Sequence, residues 1–207
     1  MEVVMKRKAS IILMAGLVAS LLALSTASQA DDLSLNVSLA EKKVAIIYAS
    51  RYGSTAQTAN WIAEGMEGKA VVKSVKEVGD LAAYDLLILG SGIYFGQLHQ
   101  DMLPFLESHK AEIKEKLLAL FVVCGAPVSS AQRYLDMFAS KCEATPTFSR
   151  AFNGWQKKEL LSPEDYKTLE DYYKRSNRPF ENYDHTDKSK CLEFGKEILK
   201  ALSPSWP

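Results

Sequence analysis

Ser50-Arg51-Tyr52-Gly53-Ser54-Thr55 joins a strand-like apolar run, Val44 to Ala49, to a helical pattern that runs from Ala56 to Met66. A strand that empties into a turn rich in hydroxyls and glycine, and then into a helix, is suited to hold a phosphate. The N–H groups of the first helical turn have no partners within the helix, and the helix dipole favours negative charge there. Ser50, Ser54 and Thr55 can each donate a hydroxyl hydrogen bond, and Arg51 can add positive charge. Tyr52 flanks Gly53, whose lack of a side chain permits close approach or positive φ. The stretch lacks the lysine of a nucleoside-triphosphate loop, and it is not the three-glycine dinucleotide pattern. A single phosphomonoester is the better fit. The same residues would also serve as an ordinary capped turn.

Working outward, strand signals alternate with helical ones. Strands are expected at Val44 to Ala49, Ala70 to Val75, Asp85 to Gly90, Leu117 to Val123 and Thr147 to Phe152. The run Leu86-Leu87-Ile88-Leu89 has no polar alternation, as in a strand covered on both faces. Helical spacing links Ala59, Ile62, Ala63 and Met66. A single helix is expected from Met102 to Lys116, with Leu103, Leu106 and Ile113 on one stripe. Leu135 and Phe138 mark a helix from Ala131 to Cys142. Cys191, Phe194, Ile198 and Leu202 mark a last one, capped by Asp187. Ser162-Pro163-Glu164-Asp165 has the cap, first-turn proline and acids of a further helix start. The expectation is an α/β fold: a doubly wound five-stranded parallel sheet, order 2-1-3-4-5, with helices on both faces. Ligands in such folds sit beyond the carboxyl ends of the strands, near the point where strand order reverses. Three loops converge there: Ser50 to Thr55, Ser91 to His99, and Cys124 to Val128.

The second loop, Gly90-Ser91-Gly92-Ile93-Tyr94-Phe95-Gly96, combines three glycines with two adjacent aromatics. Glycines let the backbone approach a flat ligand, and an aromatic at the rim can stack on its ring. In the third, Cys124-Gly125-Ala126-Pro127, small residues can line the other side of such a ring. With these residues in view the chain resembles the flavodoxin-domain family, and within it the group that includes menaquinone-dependent protoporphyrinogen oxidases. Tyr48 to Thr55 resembles that group's first loop, and Gly90 to His99 its second; similarity extends from about Lys43 to Leu202. The resemblance implies FMN as cofactor. Its phosphate would sit on Ser50 to Thr55, Tyr94 would stack near the flavin ring, and the backbone of Ser91 to Gly96 and Cys124 to Ala126 would surround it. Ile93 stands where those oxidases carry an arginine. The segment between the fourth and fifth strands is also shorter than theirs. The expected function is electron transfer by an FMN-binding protein. The alternatives are a flavin-dependent oxidase of a porphyrinogen with a quinone acceptor, and a module that has lost flavin and only binds. The expected partner is a redox protein or a quinone.

The chain has 207 residues, 47% hydrophobic and 24% charged, with no net charge. That suffices for one well-buried domain and gives no reason to expect nucleic acid as a partner. Residues 1–30 read as a signal peptide: basic Lys6-Arg7-Lys8, apolar Ile11 to Leu24, and a cleavage pattern ending Ser28-Gln29-Ala30. An export route to the periplasm or beyond is expected, with an uncleaved N-terminal anchor left open. Residues 31–42 read as a linker and 43–204 as the flavodoxin-like domain. Lys157, Lys158, Lys174, Arg175 and Arg178 beside Trp155, Tyr172 and Tyr173 form either a solvated face or a peripheral docking patch for a membrane or an acidic partner. Cys124, Cys142 and Cys191 are expected as structural thiols, and no residue spacing suggests a metal site.

Overall fold

A computed structural model describes residues 42–202. The expected signal peptide at 1–30, nearly all of the linker, and positions 203 and 204 lie outside the described residues.

The sheet forms around β1 (Val44–Ala49), whose apolar residues are buried almost throughout. β1 hydrogen-bonds in parallel to β2 (Ala70–Ser74) on one side and to β3 (Leu86–Tyr94) on the other. β5 (Leu117–Cys124) pairs with β3, and β6 (Phe148–Asn153) pairs with β5, all in parallel. The order β2-β1-β3-β5-β6 is the expected one, since the intervening β4 (Gln97–Leu98) is a two-residue strand antiparallel to the end of β3. β3 itself is longer than expected. Ser91, Gly92, Ile93 and Tyr94 continue the strand, and Phe95 and Gly96 turn it back at φ of 50° and 80°. The second loop is therefore a tight hairpin on the end of a central strand. Phe95 is strained there, because a non-glycine residue rarely occupies positive φ.

Helices cover both faces. On one, Met102, Leu106, Ile113, Leu135, Phe138 and Cys142 pack onto Ala45, Ile47, Leu89, Leu120 and Val122. The expected helix from Met102 to Lys116 is two: α2 (Met102–Ser108) and α3 (Lys110–Lys116), broken at His109. Met102, Phe105 and Leu106 occupy the buried face of α2. Leu103 is turned off that stripe and stands exposed, contrary to the expectation. α4 (Gln132–Cys142) completes the layer.

On the opposite face α1 (Ser54–Gly65) packs against α6 (Lys188–Ala201). Asp187 caps α6, accepting from the Lys190 N–H at 3.2 Å. Two glycines set the helix spacing. A side-chain carbon on Gly195 would fall 2.2 Å from the Ile62 carbonyl oxygen, and one on Gly65 2.3 Å from that of Leu192. Phe152 links Phe121 of the sheet to Phe194 of α6 through edge contacts at 6.3 and 5.8 Å. Between β6 and α6 the chain adds β7 (Trp155–Gln156), α5 (Pro163–Arg175) and β8 (Tyr183–Asp184). α5 begins as expected, with the Ser162 hydroxyl accepting from the Asp165 N–H at 3.1 Å. Cys124, Cys142 and Cys191 are buried free thiols, and burial pushes Cys142 and Cys191 up to about 12.

Because Gly195 meets backbone, Gly195→Ala must separate α6 from α1. A loss of about 1–3 kcal/mol is expected, as for other overpacked cores. Urea denaturation measures it, and an unchanged midpoint would mean the two helices are not in this contact.

Candidate functional site

β1 ends at Ala49, and Gly53 at φ 91° turns the chain into α1. No side chain caps the N-terminus of α1. Ser50 stabilises the turn instead, its Oγ accepting from the Gly53 N–H at 3.2 Å. Thr55, one residue into the helix, is fully buried, and its Oγ1 has no hydrogen-bond partner among the described residues. That oxygen looks toward Gly92: a side-chain carbon there would stand 3.0 Å from Thr55 Oγ1 and 3.0 Å from the Tyr94 hydroxyl. With no side chain at Gly92, the Tyr94 ring and the Thr55 hydroxyl close in on its backbone between the two loops, a Tyr94 ring carbon lying 2.7 Å from where a side chain would begin. The Ser54 Oγ lies on the other side, 2.9 Å from where a side chain on Gly154 would begin.

Two of the expected site residues make contacts that the sequence did not suggest. Arg51 does not point its charge into the loop. Its Nη1 pairs with the Asp165 carboxylate at 2.5 Å, and the Tyr52 hydroxyl donates to the same carboxylate. Burial raises the pKa of Asp165, but the bonds from Tyr52 and Arg51 outweigh it and hold the group below the ordinary carboxylate range. Tyr94 lines the cavity wall and is half-buried. Its hydroxyl accepts from the Arg51 N–H at 2.9 Å, and its ring packs edge-on to Tyr52 and His99. The aromatic at the rim is Phe95, 62% exposed.

His99 supports this arrangement from below. It is buried, its N–H donates to Ser91 Oγ at 3.0 Å, and its Nδ1 accepts from the Asp101 N–H at 3.1 Å at the start of α2. Burial lowers its pKa against the opposing pull of Asp101; Arg51 and Lys76 push the same way as burial.

A cavity of about 600 Å³ opens beyond the strand ends. Its near wall is Ser54, Ile93, Tyr94, Phe95 and the third loop, where Cys124, Gly125 and Ala126 all contribute. Asn153 pins that loop, its Nδ2 donating to the Ala126 carbonyl at 2.8 Å. The far wall comes from the segment between β6 and α6, through Trp155, Leu169, Tyr172, Tyr173 and Tyr183. Trp155 also reaches the first loop, its Nε1 donating to the Tyr52 carbonyl at 2.8 Å. Thus Ser50 to Thr55, Ser91 to Gly96 and Cys124 to Ala126 do converge at one edge. Asp165, Trp155 and Tyr183 are not among the expected cofactor-site residues, although the aromatics of Gln156 to Tyr183 could be read in sequence as one wall of a pocket. The alternation of aromatics and cations from Trp155 to Tyr183 was their signal, but a solvated face reads the same way.

A neutral His99 is favoured by the fold, so its folded pKa lies below the unfolded value near 6.5. Its contribution to stability is complete above that value and is lost as pH falls through the folded pKa. Urea unfolding at pH 7.5 and 5 should show a loss in the natural chain that is smaller in His99→Gln. Equal losses in both would remove His99 from this role.

The flavodoxin-domain profile matches residues 45–162, more than half of the chain. Among solved structures, the two-electron reduced flavodoxin of Megasphaera elsdenii is 20% identical with a TM-score of 0.50, and the match covers 76% of this chain and 98% of that one. Oxidised Flavodoxin 1 of Bacillus cereus is 23% identical with a TM-score of 0.50, the match covering 78% and 99%. At these identities the likeness speaks to the fold. No curated protein matches the chain. With the profile spanning the first loop, the second and the third, the chain belongs to the flavodoxin-domain family.

Proposed function

We propose that this chain binds FMN at the first loop and works as a redox protein. The observation that carries the reading is Thr55 Oγ1: a buried hydroxyl without a hydrogen-bond partner among the described residues, beside an uncapped helix N-terminus and against the bare backbone of Gly92. A buried donor left unpaired costs roughly 1–3 kcal/mol, and an anion at this point would remove that cost. The cavity lined by its neighbours Ser54 and Tyr94 lies in the size range of cofactor pockets, about 300–1,000 Å³. When bound, FMN supplies one- and two-electron chemistry; the protein supplies binding, orientation and electrostatics. Thr55, Ser54 and the N–H groups of α1 would hold the phosphate. Gly92 to Phe95 and Cys124 to Ala126 would bracket the ring, and Trp155 with α5 would limit water at the first loop. Arg51 is engaged by Asp165, so the phosphate charge rests on dipoles and hydroxyls.

Titration of FMN and riboflavin tests this reading. FMN should bind far more tightly than riboflavin, which lacks the phosphate. Thr55→Ala and Ser54→Ala should each weaken FMN by about 1.5–3 kcal/mol and leave riboflavin unchanged. Equal affinity for both flavins would show that the first loop is not a phosphate site. No binding of either would support a flavin-less binding module, a reading favoured by the Tyr94 hydroxyl already seated on the Arg51 N–H.

Electron transfer is the expected role once FMN is bound, with a redox protein or a quinone as partner. One observation favours an enzyme instead: the aromatic far wall makes the site concave, whereas a shuttle needs only an exposed flavin edge. This is the reading that the likeness to the protoporphyrinogen oxidase group suggests. Anaerobic mixing of the FMN-loaded protein with protoporphyrinogen and a menaquinone analogue separates the two. Saturable turnover with both would establish the oxidase; reduction by several unrelated donors without it would establish the carrier. Export remains part of the proposal on the strength of residues 1–30, and a mature N-terminus at Asp31 is expected from N-terminal sequencing of the protein taken from its own cell. An intact N-terminus on a cytoplasmic protein would refute it.

A further inference from the structure

The two walls of the cavity differ in origin. The near wall is the carboxyl edge of the sheet. The far wall is built largely by α5 and the chain around it, and everything from Pro163 onward lies outside the family match. Family membership therefore does not say what that wall is for.

Its chemistry is aromatic and positive. Tyr173 stacks on Phe180 at 5.3 Å and 26°, and Tyr183 on His185 at 4.9 Å and 18°, so the rings are held in place. The Tyr183 hydroxyl spans the cavity to the third loop, 2.4 Å from where a Gly125 side chain would begin. Arg133, Lys157 and Arg178 all line the cavity. Asp165 is the one carboxylate among the lining residues, and it is taken up by Arg51 and Tyr52. The whole chain is neutral, so this excess is local.

Arg133 and Arg178 stand exposed at the mouth, on α4 and on the far wall. Neither forms an ion pair among the described residues. Their guanidinium groups engage tyrosines instead: Arg133 lies 4.7 Å from the Tyr134 ring and donates from Nη2 to its hydroxyl at 2.7 Å, and Arg178 lies 5.7 Å from the Tyr173 ring. Both line the same cavity. Burial raises the pKa of the Cys124 thiol against the pull of Arg133, and that of the Tyr183 phenol against the pull of Arg178.

We propose that the far half of the cavity binds a small aromatic anion, one or two rings bearing a carboxylate. The rings lie against Trp155, Tyr172, Tyr173 and Tyr183, and the carboxylate sits at the mouth between Arg133 and Arg178. An anion at the mouth keeps part of its hydration, which avoids the cost of burying a charge. A neutral quinone would gain nothing from the two arginines. The proposal goes beyond the flavin reading and does not require it.

Calorimetric titration of the full chain with 2-naphthoate, with and without saturating FMN, tests the proposal. The neutral comparison ligand is 2-naphthalenemethanol. Naphthoate should bind in both preparations and more tightly than the alcohol. Arg133→Met and Arg178→Met should each weaken naphthoate roughly fivefold, the scale of an exposed ion pair, and leave the alcohol and FMN unaffected. Both side chains are exposed, so an unchanged melting temperature should accompany these losses. Equal binding of acid and alcohol would overturn the proposal, as would variants that leave naphthoate unchanged. Variants that weaken FMN as much as naphthoate would overturn it too, by assigning the arginines to the flavin. Failure of FMN to bind would remove the flavin reading alone, because the naphthoate titration without FMN still decides this one.

Discussion

β1 hydrogen-bonds to a parallel strand on each side, and the chain reaches those two neighbours in opposite directions. The crossover to β2 moves one way along the sheet; the crossover to β3 returns past β1 to its other side. Loops after β1 and β3 therefore leave on either side of a crevice, which is where ligands collect in open α/β sheets. The site follows from that reversal. The first loop meets the hairpin after β3 because the strands are paired Tyr48 to Gly90 and Ala49 to Ser91. A shift of one residue in this register would turn Thr55 and Gly92 away from each other.

Within the crevice the polar groups of the first loop divide into two sets. Arg51, the Tyr52 hydroxyl and the Tyr52 carbonyl are committed to Asp165 and Trp155. They fasten the loop to the far wall. Thr55 Oγ1 and the uncapped turn of α1 are not committed to side chains. The first set gives the loop a fixed shape, and the second gives it something to bind with. Tyr94 stands between them, because its hydroxyl takes one backbone donor that an incoming phosphate could use. Displacing it exchanges a neutral hydrogen bond for charge-assisted ones, which are roughly twice as strong.

Much of this was legible in local sequence. The unbroken apolar runs of β1, β3 and β5 mark strands buried on both faces. Ser162-Pro163 and Asp187 mark helix starts that the structure places as expected. The failures were of two kinds. Ser91 and Gly92 read as loop, yet β3 runs through both. They are strand because they pair with Val122 and Val123 of β5. Those partners are 31 positions away and leave no local mark. Residue type suggests that Arg51 lends its charge to the loop, and the resemblance implies that Tyr94 stacks near a flavin ring. Their partners in the fold are Asp165, 114 positions distant, and the backbone of the first loop. Hydroxyl and glycine content locate a site, but the direction of a long side chain depends on where its counter-charge folds.

The same distinction governs the charge of the cavity. A formal net charge of zero excludes a strong long-range field but says little about any one concavity. Salt screens exposed charges beyond about 8–10 Å, so a ligand in the mouth responds to the few groups that line it. Folding has paired many carboxylates with lysines elsewhere on the surface, as with Glu143 between Lys110 and Lys114 and Glu64 with Lys188. At the cavity it has paired the only lining carboxylate with Arg51. Arg133 and Arg178 are thereby left with tyrosines as partners, Arg133 with the hydroxyl and ring of Tyr134 and Arg178 with the Tyr173 ring, contacts weaker than an ion pair with a carboxylate held between them. A neutral chain has in this way acquired a positive, aromatic opening directly over the edge where its fold places a ligand.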